Sequence, residues 1–421
     1  MTQPHKPPTG PIAKSPSALL LVRNDFCRAD GWFDPRVMNC ARALLGDGWQ
    51  VVVVCDQNGP QPGSETLDGL TIFRGLWHRD CAKQAPTRLV RRLPLISLLN
   101  HQFCLDSLPV VWRSLAGQPV DLVLSNDVEM LPLGRVLAKR KRARLVYDSH
   151  EYHASRASNV IPRQLKGRLR TLTYKVVEKW LVPKAHLVTT VSESIAQRLH
   201  ADHPRLKTRV RVIHNYPPLP LAEKNDFIRR RYHLPPERKI IIYVGGLQVG
   251  RGCETLVRLA PRLPGSTVFF LGDGPLRAEL EQMASGLPPD KVIFHGAVPQ
   301  KQVGPITASA DIGACLISPG SVSHQMAAPN KIFIYMQAGI PSVDSDFPEM
   351  LRLVDEAGLG ICVSPLDDEA IIGAFERLAS NGPQRQAMGR AAADAFVRRH
   401  NWEVEQKLLR ELYRGLVGSR A

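Results

Sequence analysis

Glycines and a basic residue follow an apolar run in the second half of the chain. The run Lys239–Val244 (KIIIYV) is typical of a buried parallel strand, and residues 245–252 (GGLQVGRG) come directly after it. Glycines let backbone N–H groups approach a phosphate closely, and the guanidinium of Arg251 adds fixed positive charge. A flexible strand-to-helix loop is the alternative interpretation. The residues predicted to contact a phosphate here are Gly245, Gly246 and Arg251, whereas the later LGDGP segment is by itself a common turn at the start of a helix.

A second candidate site lies in residues 329–349 (PNKIFIYMQAGIPSVDSDFPE). Pro329 suits the first turn of a helix, where its missing N–H costs nothing, and Gly339 supplies the stop. The free N–H groups at the start of a helix favour phosphate, which places Asn330 and Lys331 at such a site. Considered alone, the segment is also compatible with a helix–strand pair in any α/β protein.

Polar residues also stand at candidate ligand positions in the first half. His150 and Glu151 lie just past a predicted strand over residues 144–148, and open α/β sheets bind ligands at the carboxyl ends of their strands. Asp34 and Arg36 open the helix after the first strand. A loop histidine bonded to a neighbouring carboxylate is the alternative for His150.

Strand-like and helix-like segments alternate along both halves of the chain, which is the doubly wound pattern. Three prolines in residues 214–221 (HNYPPLPL) interrupt the rhythm and indicate a linker. In the second half, a strand is predicted over residues 340–343 and a turn over residues 344–346. The predicted division is a disordered Pro-rich tail (1–17), a first domain (18–213), a linker (214–222) and a second domain (223–421). The last helix is a candidate to pack against the first domain.

Taken in order, these segments resemble the family 4 glycosyltransferases. Residues 329–333 (PNKIF), the glycine segment 245–252 and LGDGP resemble the donor-sugar domain, while residues 147–152 (YDSHEY) resemble the first domain. The resemblance implies a GT-B architecture, in which two Rossmann-like, doubly wound α/β domains face a cleft. It also implies a nucleotide-sugar on the second domain, an acceptor on the first, retention of configuration, and no metal ion or other cofactor.

The resemblance assigns a role to each candidate residue. The residues given catalytic roles are His150 and Arg251. The donor-binding residues are Gly245, Gly246, Arg251, Gly272, Gly274, Asn330, Lys331 and Glu349. The acceptor-side residues are Asp34, Arg36 and Glu151.

This chain departs from the family pattern at the donor ribose. Where the branch reading PNK-apolar-Phe-Glu-Tyr has a glutamate, this chain has Ile334, and relatives with two glutamates would place the other at Met326. Neither residue accepts a hydrogen bond from a ribose hydroxyl. Three polar residues are candidates for that contact instead: Glu349, Asn330 and Ser323.

These observations predict transfer of a sugar from a nucleotide-sugar to a hydroxyl of a glycan or lipid-linked acceptor, in surface polysaccharide or glycolipid assembly. Because Ile334 and Met326 replace the two carboxylates, a non-catalytic binding or scaffold protein of the same fold is the alternative. An epimerase acting on nucleotide-sugars is a third interpretation. It needs paired carboxylates in the cleft, and the sequence does not place them.

Charge is unevenly distributed along the chain. Residues 1–220 carry 32 Lys+Arg and 17 Asp+Glu, a net charge of +15, whereas residues 221–421 are almost neutral at +1. This indicates an anionic partner for the first half, and an anionic membrane surface fits better than nucleic acid, because only 6% of residues are aromatic. Leu172, Val176 and Trp180 share one face of a basic helix, which suits a membrane surface or an ordinary solvated helix equally.

Cysteine usage and hydropathy indicate the compartment. The eight cysteines form no CxxC pair, and several lie in apolar runs, as in reduced cytoplasmic proteins. No run of 18 apolar residues is present, so no spanning helix is predicted. We therefore expect a cytoplasmic protein that is peripheral to the inner face of the plasma membrane.

Overall fold

The computed structural model of the chain describes residues 15–23, 34–56, 63–74, 103, 105–152, 165–320, 322–355 and 357–418, with the backbone alone for residues 106, 110 and 165–170. The Pro-rich tail predicted over residues 1–17 lies outside the described residues except at its end. There the first strand already begins at Ser17.

Fourteen strands and fifteen α-helices form the described part of the chain. The strands are β1 (Ser17–Leu21), β2 (Gln50–Cys55), β3 (Ser64–Leu67), β4 (Leu70–Arg74), β5 (Leu122–Asn126), β6 (Arg144–Ser149), β7 (Leu187–Thr190), β8 (Arg211–Val212), β9 (Lys239–Val244), β10 (Ser266–Leu271), β11 (Val292–Gly296), β12 (Ile312–Cys315), β13 (Ser342–Ser345) and β14 (Gly360–Val363). The helices are α1 (Pro35–Leu45), α2 (Leu108–Ser114), α3 (Asp127–Lys141), α4 (Leu165–Leu181), α5 (Glu193–Asp202), α6 (Phe227–Tyr232), α7 (Cys253–Leu259), α8 (Arg277–Ala284), α9 (Gln300–Thr307), α10 (Val322–Gln325), α11 (Asn330–Gln337), α12 (Pro348–Met350), α13 (Asp368–Ser380), α14 (Gly382–Arg398) and α15 (Trp402–Gly418).

The first domain is built on an eight-stranded sheet in the order β3-β4-β2-β1-β5-β6-β7-β8. Its central strands are buried along their whole length because helices cover both faces, so they read as continuous apolar runs. Every pairing is parallel except that of β3 with β4 at the edge. Asp68 and Gly69 form the turn of that hairpin with positive φ angles of 50° and 84°. The sequence analysis did not predict this hairpin.

The second domain is built on a six-stranded, entirely parallel sheet in the order β11-β10-β9-β12-β13-β14. Its order reverses beside β9, and the carboxyl end of β9 leads directly into the glycine segment 245–252. A ligand crevice forms at such a reversal. The predicted fold class, two doubly wound α/β domains with parallel sheets, is confirmed.

The last helix crosses back to the first domain. Trp402, Leu409 and Tyr413 of α15 are buried in the same apolar cluster as Val37 of α1. An ion pair between Arg414 and the side chain of Asp47 adds a polar contact to this packing. The first domain is therefore completed by residues from the opposite end of the chain.

Candidate functional site

His150 lies in a pocket of carboxylates at the carboxyl end of β6. Its Nε2 is 3.0 Å from Asp148 Oδ2, its Nδ1 is 3.9 Å from Asp127 Oδ2, and its backbone N–H donates to Asp127 Oδ1 at 3.1 Å. Asp127 begins α3 directly after β5 in a left-handed conformation (φ 64°), which carries a steric cost for a residue with a side chain. That conformation brings its carboxylate against the His150 loop.

These two carboxylates keep His150 protonated. Burial lowers the pKa of His150, but Asp127 and Asp148 outweigh it and raise the pKa to about 9. At neutral pH the ring is therefore an imidazolium, which donates hydrogen bonds and does not accept a proton.

Arg36 holds Asp148 in place. Its Nε and Nη2 donate to the two oxygens of Asp148 at 2.7 and 2.6 Å, and its Nη1 donates to the carbonyl of Ile213. Burial disfavours the Asp148 carboxylate, yet Arg36 and His150 hold its pKa far below the usual range. Thr189 Oγ1 also donates to Asp148, at 2.7 Å.

Arg36, which the resemblance assigns to the acceptor side, makes its hydrogen bonds within the first domain. Its guanidinium is buried and its hydrogen bonds go to Asp148 and a backbone carbonyl, so Arg36 is a positioning residue for Asp148 and His150. Asp34 caps α1 by accepting from the backbone N–H groups of Arg36 and Val37 at 3.0 and 3.1 Å. Its observed role is therefore to start the helix that carries Arg36.

His324 of the second domain interacts electrostatically with Glu151 of the first domain and with Arg251 of its own domain. Burial, with Arg251 adding to it, lowers the pKa of His324, and Glu151 acts in the opposite direction. His324 also lies against the glycine segment, because a Cβ at Gly250 would be 3.5 Å from its ring. The structure thus brings Glu151 and Arg251 to one region. The sequence analysis did not single out His324.

Lys331 is a buried cation beneath the glycine segment. The residue is 8% exposed, and its Nζ lies 3.4 Å from the centre of the Tyr243 ring. Within the described residues this Nζ has no hydrogen-bond acceptor. Burial lowers the pKa of Lys331 to about 8, and the nearby positive charge of Arg251 contributes in the same direction. Two cations therefore converge where an anion would satisfy both.

The predicted glycine contacts divide into two groups. Gly245 and Gly246 follow β9 directly, and a Cβ at Gly245 would be 4.0 Å from Lys331 Cε. Gly272 and Gly274 instead pack against the backbone of that loop. A Cβ at Gly272 would be 2.0 Å from Gly245 O, and a Cβ at Gly274 would be 2.4 Å from Leu247 O. The absence of a side chain at Gly272 and Gly274 allows this close backbone packing and shapes the loop, and their contact with a donor remains a prediction.

The two positions that lack glutamates make apolar contacts. Ile334 is partly buried against the core of the second domain. Met326 packs against the core of the first domain, and its carbonyl accepts a 2.7 Å hydrogen bond from Ser192 Oγ. The side chain at Met326 therefore contributes to the contact between the domains.

Glu349, predicted to bind the donor, is buried and hydrogen-bonded to the first domain, and its donor contact remains a prediction. The residue is 1% exposed, and its Oε2 accepts from the backbone N–H of Ser194 at 3.2 Å and from Ser194 Oγ at 2.9 Å. Arg352 pairs with the other oxygen. Ser323 is buried too and accepts from the backbone N–H of Tyr152 at 3.3 Å. Of the three ribose candidates, Asn330 alone is exposed, at the first residue of α11.

Asp344 is a buried carboxyl that the sequence analysis placed in a turn. It lies inside β13, fully buried, between Cys315 of β12 and Cys362 of β14. Ser342 Oγ donates to it at 2.5 Å, and burial raises its pKa to about 7 although Lys331 opposes this. The signal available in the sequence was its place next to the predicted strand over residues 340–343, which extends to Ser345.

The described residues contain neither a metal-binding cluster of side chains nor a membrane-spanning helix. No group of three or more His, Cys, Asp or Glu side chains among them is arranged to hold a metal ion. Among the helices described here, none is both long and apolar enough to span a membrane.

Two protein families match the chain, one in each half. The family described as "Glycosyl transferase 4-like domain" matches residues 34–216, and the family described as "Glycosyl transferases group 1" matches residues 238–381. The sulfoquinovosyl transferase SQD2 of Arabidopsis thaliana is 24% identical over 401 residues, which cover 93% of this chain and 72% of that protein. A GDP-mannose-dependent phosphatidylinositol monomannoside mannosyltransferase of Mycolicibacterium smegmatis is 25% identical over 45% of this chain and 50% of its own length.

Solved structures share the two-domain architecture. Sucrose-phosphate synthase from Thermosynechococcus elongatus superimposes with a TM-score of 0.75 at 18% identity, covering 96% of this chain and all of that one. Anabaena Alr3699/HepE in complex with UDP-glucose gives a TM-score of 0.68 at 15% identity, covering 94% of this chain and 99% of that one. At such identities the likeness establishes the fold.

Proposed function

Because the chain belongs to the glycosyltransferases of the family 4, GT-B type, we propose that it transfers a sugar from a nucleotide-diphosphate-sugar to a hydroxyl of a glycan or lipid-linked acceptor, with retention of configuration. The donor binds the second domain and the acceptor the first. The relative named as a phosphatidylinositol monomannoside mannosyltransferase, and the HepE structures that contain UDP or UDP-glucose, support these two substrate classes.

The observation that carries the proposal is the buried ammonium group of Lys331. A buried cation without a hydrogen-bond acceptor is costly, and such groups are found where a ligand supplies the missing acceptor. A donor diphosphate placed over residues 245–246 would accept from Lys331 Nζ, from the loop N–H groups and from Arg251. These donors stabilise the negative charge that grows on the leaving diphosphate as the sugar departs.

His150 has a complementary role on the acceptor side of the cleft. As an imidazolium it donates a hydrogen bond to a hydroxyl of the transferred sugar, and it is unsuited to act as a base. In the step we propose, the bond from the sugar's anomeric carbon to the diphosphate breaks and a bond to the acceptor oxygen forms on the same face. The departing phosphate oxygen takes the acceptor's proton, so no protein base and no metal ion is required.

The alternative is a binding or scaffold protein that keeps the fold without turnover. It is favoured by one set of observations: Ile334 and Met326 make apolar contacts, and Glu349 is bonded to Ser194. Asn330 then becomes the side chain that we assign to the ribose in the enzyme.

The two functions are distinguished by incubating the purified protein with a panel of nucleotide-sugars and measuring released nucleoside diphosphate. The enzyme releases it slowly without an acceptor, and Lys331→Met lowers the rate of release. Lys301→Met, which removes an exposed lysine on α9, is the control and leaves the rate unchanged. Absence of both binding and release across the whole panel would refute the transferase and leave the scaffold.

A further inference from the structure

Helix α4 turns polar side chains toward the interior of the first domain. Tyr174 and Glu178, four residues apart, are both buried. Tyr174 Oη donates to Glu129 Oε1 at 2.6 Å, and Glu178 Oε1 accepts from Tyr147 Oη at 2.9 Å. Hydrogen bonds to α3 and β6 therefore fix which face of α4 points inward.

The outer face of α4 exposes apolar side chains to solvent. Leu172, Val176 and Trp180, each four residues from the next, are 58%, 49% and 61% exposed. Spacing of four places them in one row along the helix, which we call the apolar stripe. Single exposed apolar residues are ordinary on protein surfaces, but an aligned row ending in tryptophan marks an interaction surface.

Positive charge accompanies the apolar stripe. Lys175 and Lys179 are exposed on the same helix, and the first 220 residues carry a net charge of +15. Apolar and aromatic groups beside lysines fit the interface of a bilayer whose headgroups are anionic.

We propose that the outer face of α4 docks onto an anionic lipid bilayer. The apolar stripe enters the boundary between headgroups and acyl chains, and Lys175 and Lys179 contact the anionic headgroups. The helix lies on the surface and does not span it. This docking needs no sugar transfer; only its extension to a lipid-linked acceptor rests on the proposed function.

The fold relates this surface to the candidate site. Helix α4 is the crossover between β6, which ends beside His150, and β7. A crossover helix runs antiparallel to its strands, so α4 begins at the edge of the sheet where His150 lies. Docking along α4 would bring that edge toward the bilayer.

The test is co-sedimentation of the full chain with vesicles of phosphatidylcholine alone or with 30% phosphatidylglycerol, a composition we choose to give ~30 mol% anionic headgroups. Binding is expected to rise with anionic lipid and to fall with added salt.

Replacing the stripe by serine (Leu172→Ser, Val176→Ser and Trp180→Ser) should abolish vesicle binding. Lys175→Gln and Lys179→Gln should each lower the partition coefficient about fivefold. Leu366→Ser, at a residue that is 75% exposed in the second domain, is the matched control and leaves binding unchanged.

Three outcomes would overturn the proposal. Equal binding to neutral and anionic vesicles would show that anionic headgroups are not required. Full binding by the serine triple variant would show that the apolar stripe does not contact the bilayer. A dimer in solution that the triple variant dissociates, without vesicle binding, assigns the face to a second copy of the chain. Lys331→Met, which lacks a donor-site cation, should still bind vesicles, so loss of sugar transfer does not imitate loss of docking.

Discussion

Glu349 of the second domain accepts two hydrogen bonds from Ser194 of the first, one from its amide and one from its hydroxyl. The bonds form at the start of α5, where free N–H groups favour a carboxylate. Ser192, two residues earlier, donates to the carbonyl of Met326. The start of α5 therefore holds the two domains together beside the candidate donor site.

Removing the Ser194 hydroxyl should loosen this contact. A hydrogen bond to a charged group contributes about 1.5–3 kcal/mol, so we expect Ser194→Ala to lower the Tm and to increase the radius of gyration measured by small-angle scattering. Ser380→Ala is the control, since that exposed hydroxyl bonds only to the carbonyl of its own helix at Glu376. An unchanged radius and Tm for Ser194→Ala would show that the contact does not hold the domains together.

Lys331→Met should have opposite effects on binding and on stability. Loss of a charge-assisted contact weakens binding of a nucleoside diphosphate by about 10- to 150-fold, the equivalent of roughly 1.5–3 kcal/mol. The unliganded protein should become more stable, because a buried cation without an acceptor is removed. Calorimetric titration and thermal unfolding measure the two effects. A variant that is less stable and binds normally would contradict the assignment.

The same lysine predicts a pH dependence. Its pKa in the unliganded protein is about 8, so the ammonium form that binds an anion is present below that pH and is lost above it. Donor affinity should therefore be higher below pH 7.5 and fall about tenfold per unit above pH 8. Lys331→Met removes this dependence.

Asp127→Asn should lower the pKa of His150, because it removes one of the two carboxylates that raise it to about 9. Asparagine tolerates the left-handed conformation at residue 127, so the backbone is retained. The raised pKa of His150 stabilises the folded protein. This contribution is complete below pH 6.5, about the pKa of histidine in the unfolded chain, and is lost as the pH rises through 9. In the variant this loss moves to lower pH.

An NMR titration of the His150 ring measures this shift directly. Asp394→Asn, which removes an exposed carboxylate on α14, serves as the control and leaves the ring pKa at its parent value. A pKa of about 9 in both variants would exclude Asp127 as the cause.

Arg251→Ala tests the second cation. We expect a loss of about 2–4 kcal/mol of transition-state stabilisation, a factor of roughly 30 to 1,000 in rate. Arg251→Lys should restore part of the rate, since it keeps the charge and loses the planar fork. A full-rate alanine variant would remove Arg251 from the site.

Ile334→Glu tests the ribose contact that this chain lacks. A new carboxylate that reaches the ribose hydroxyls should tighten donor binding by about 10-fold or more, as expected for charged hydrogen bonds. Ile334→Gln is the control for shape, and thermal unfolding is measured alongside because Ile334 packs against the core. Unchanged affinity for the glutamate variant would place the ribose away from residue 334.

Local pattern was sufficient for the fold and for the order of the site segments. Apolar runs of strand length separated by helical segments predict parallel sheets, and the glycines after β9 and the proline before α11 mark turns by their own backbone preferences. The same reasoning missed the β3–β4 hairpin and ended β13 before Asp344. A polar residue within a short buried strand gives no periodic signal.

What the sequence determined by itself is therefore the pair of doubly wound domains, from patterns local to each segment, while the glycosyltransferase type followed from the resemblance of those segments to a known family. Only the tertiary structure decided which polar groups remain available. Arg36 meets Asp148 at a separation of 112 residues, and Ser194 meets Glu349 at 155, so neither pairing is visible in local spacing. Periodicity likewise predicted that Leu172, Val176 and Trp180 share a face of α4, but not its direction. Buried hydrogen bonds from Tyr174 and to Glu178 fix that direction, because an unsatisfied polar group in the interior costs more than an apolar side chain left in water.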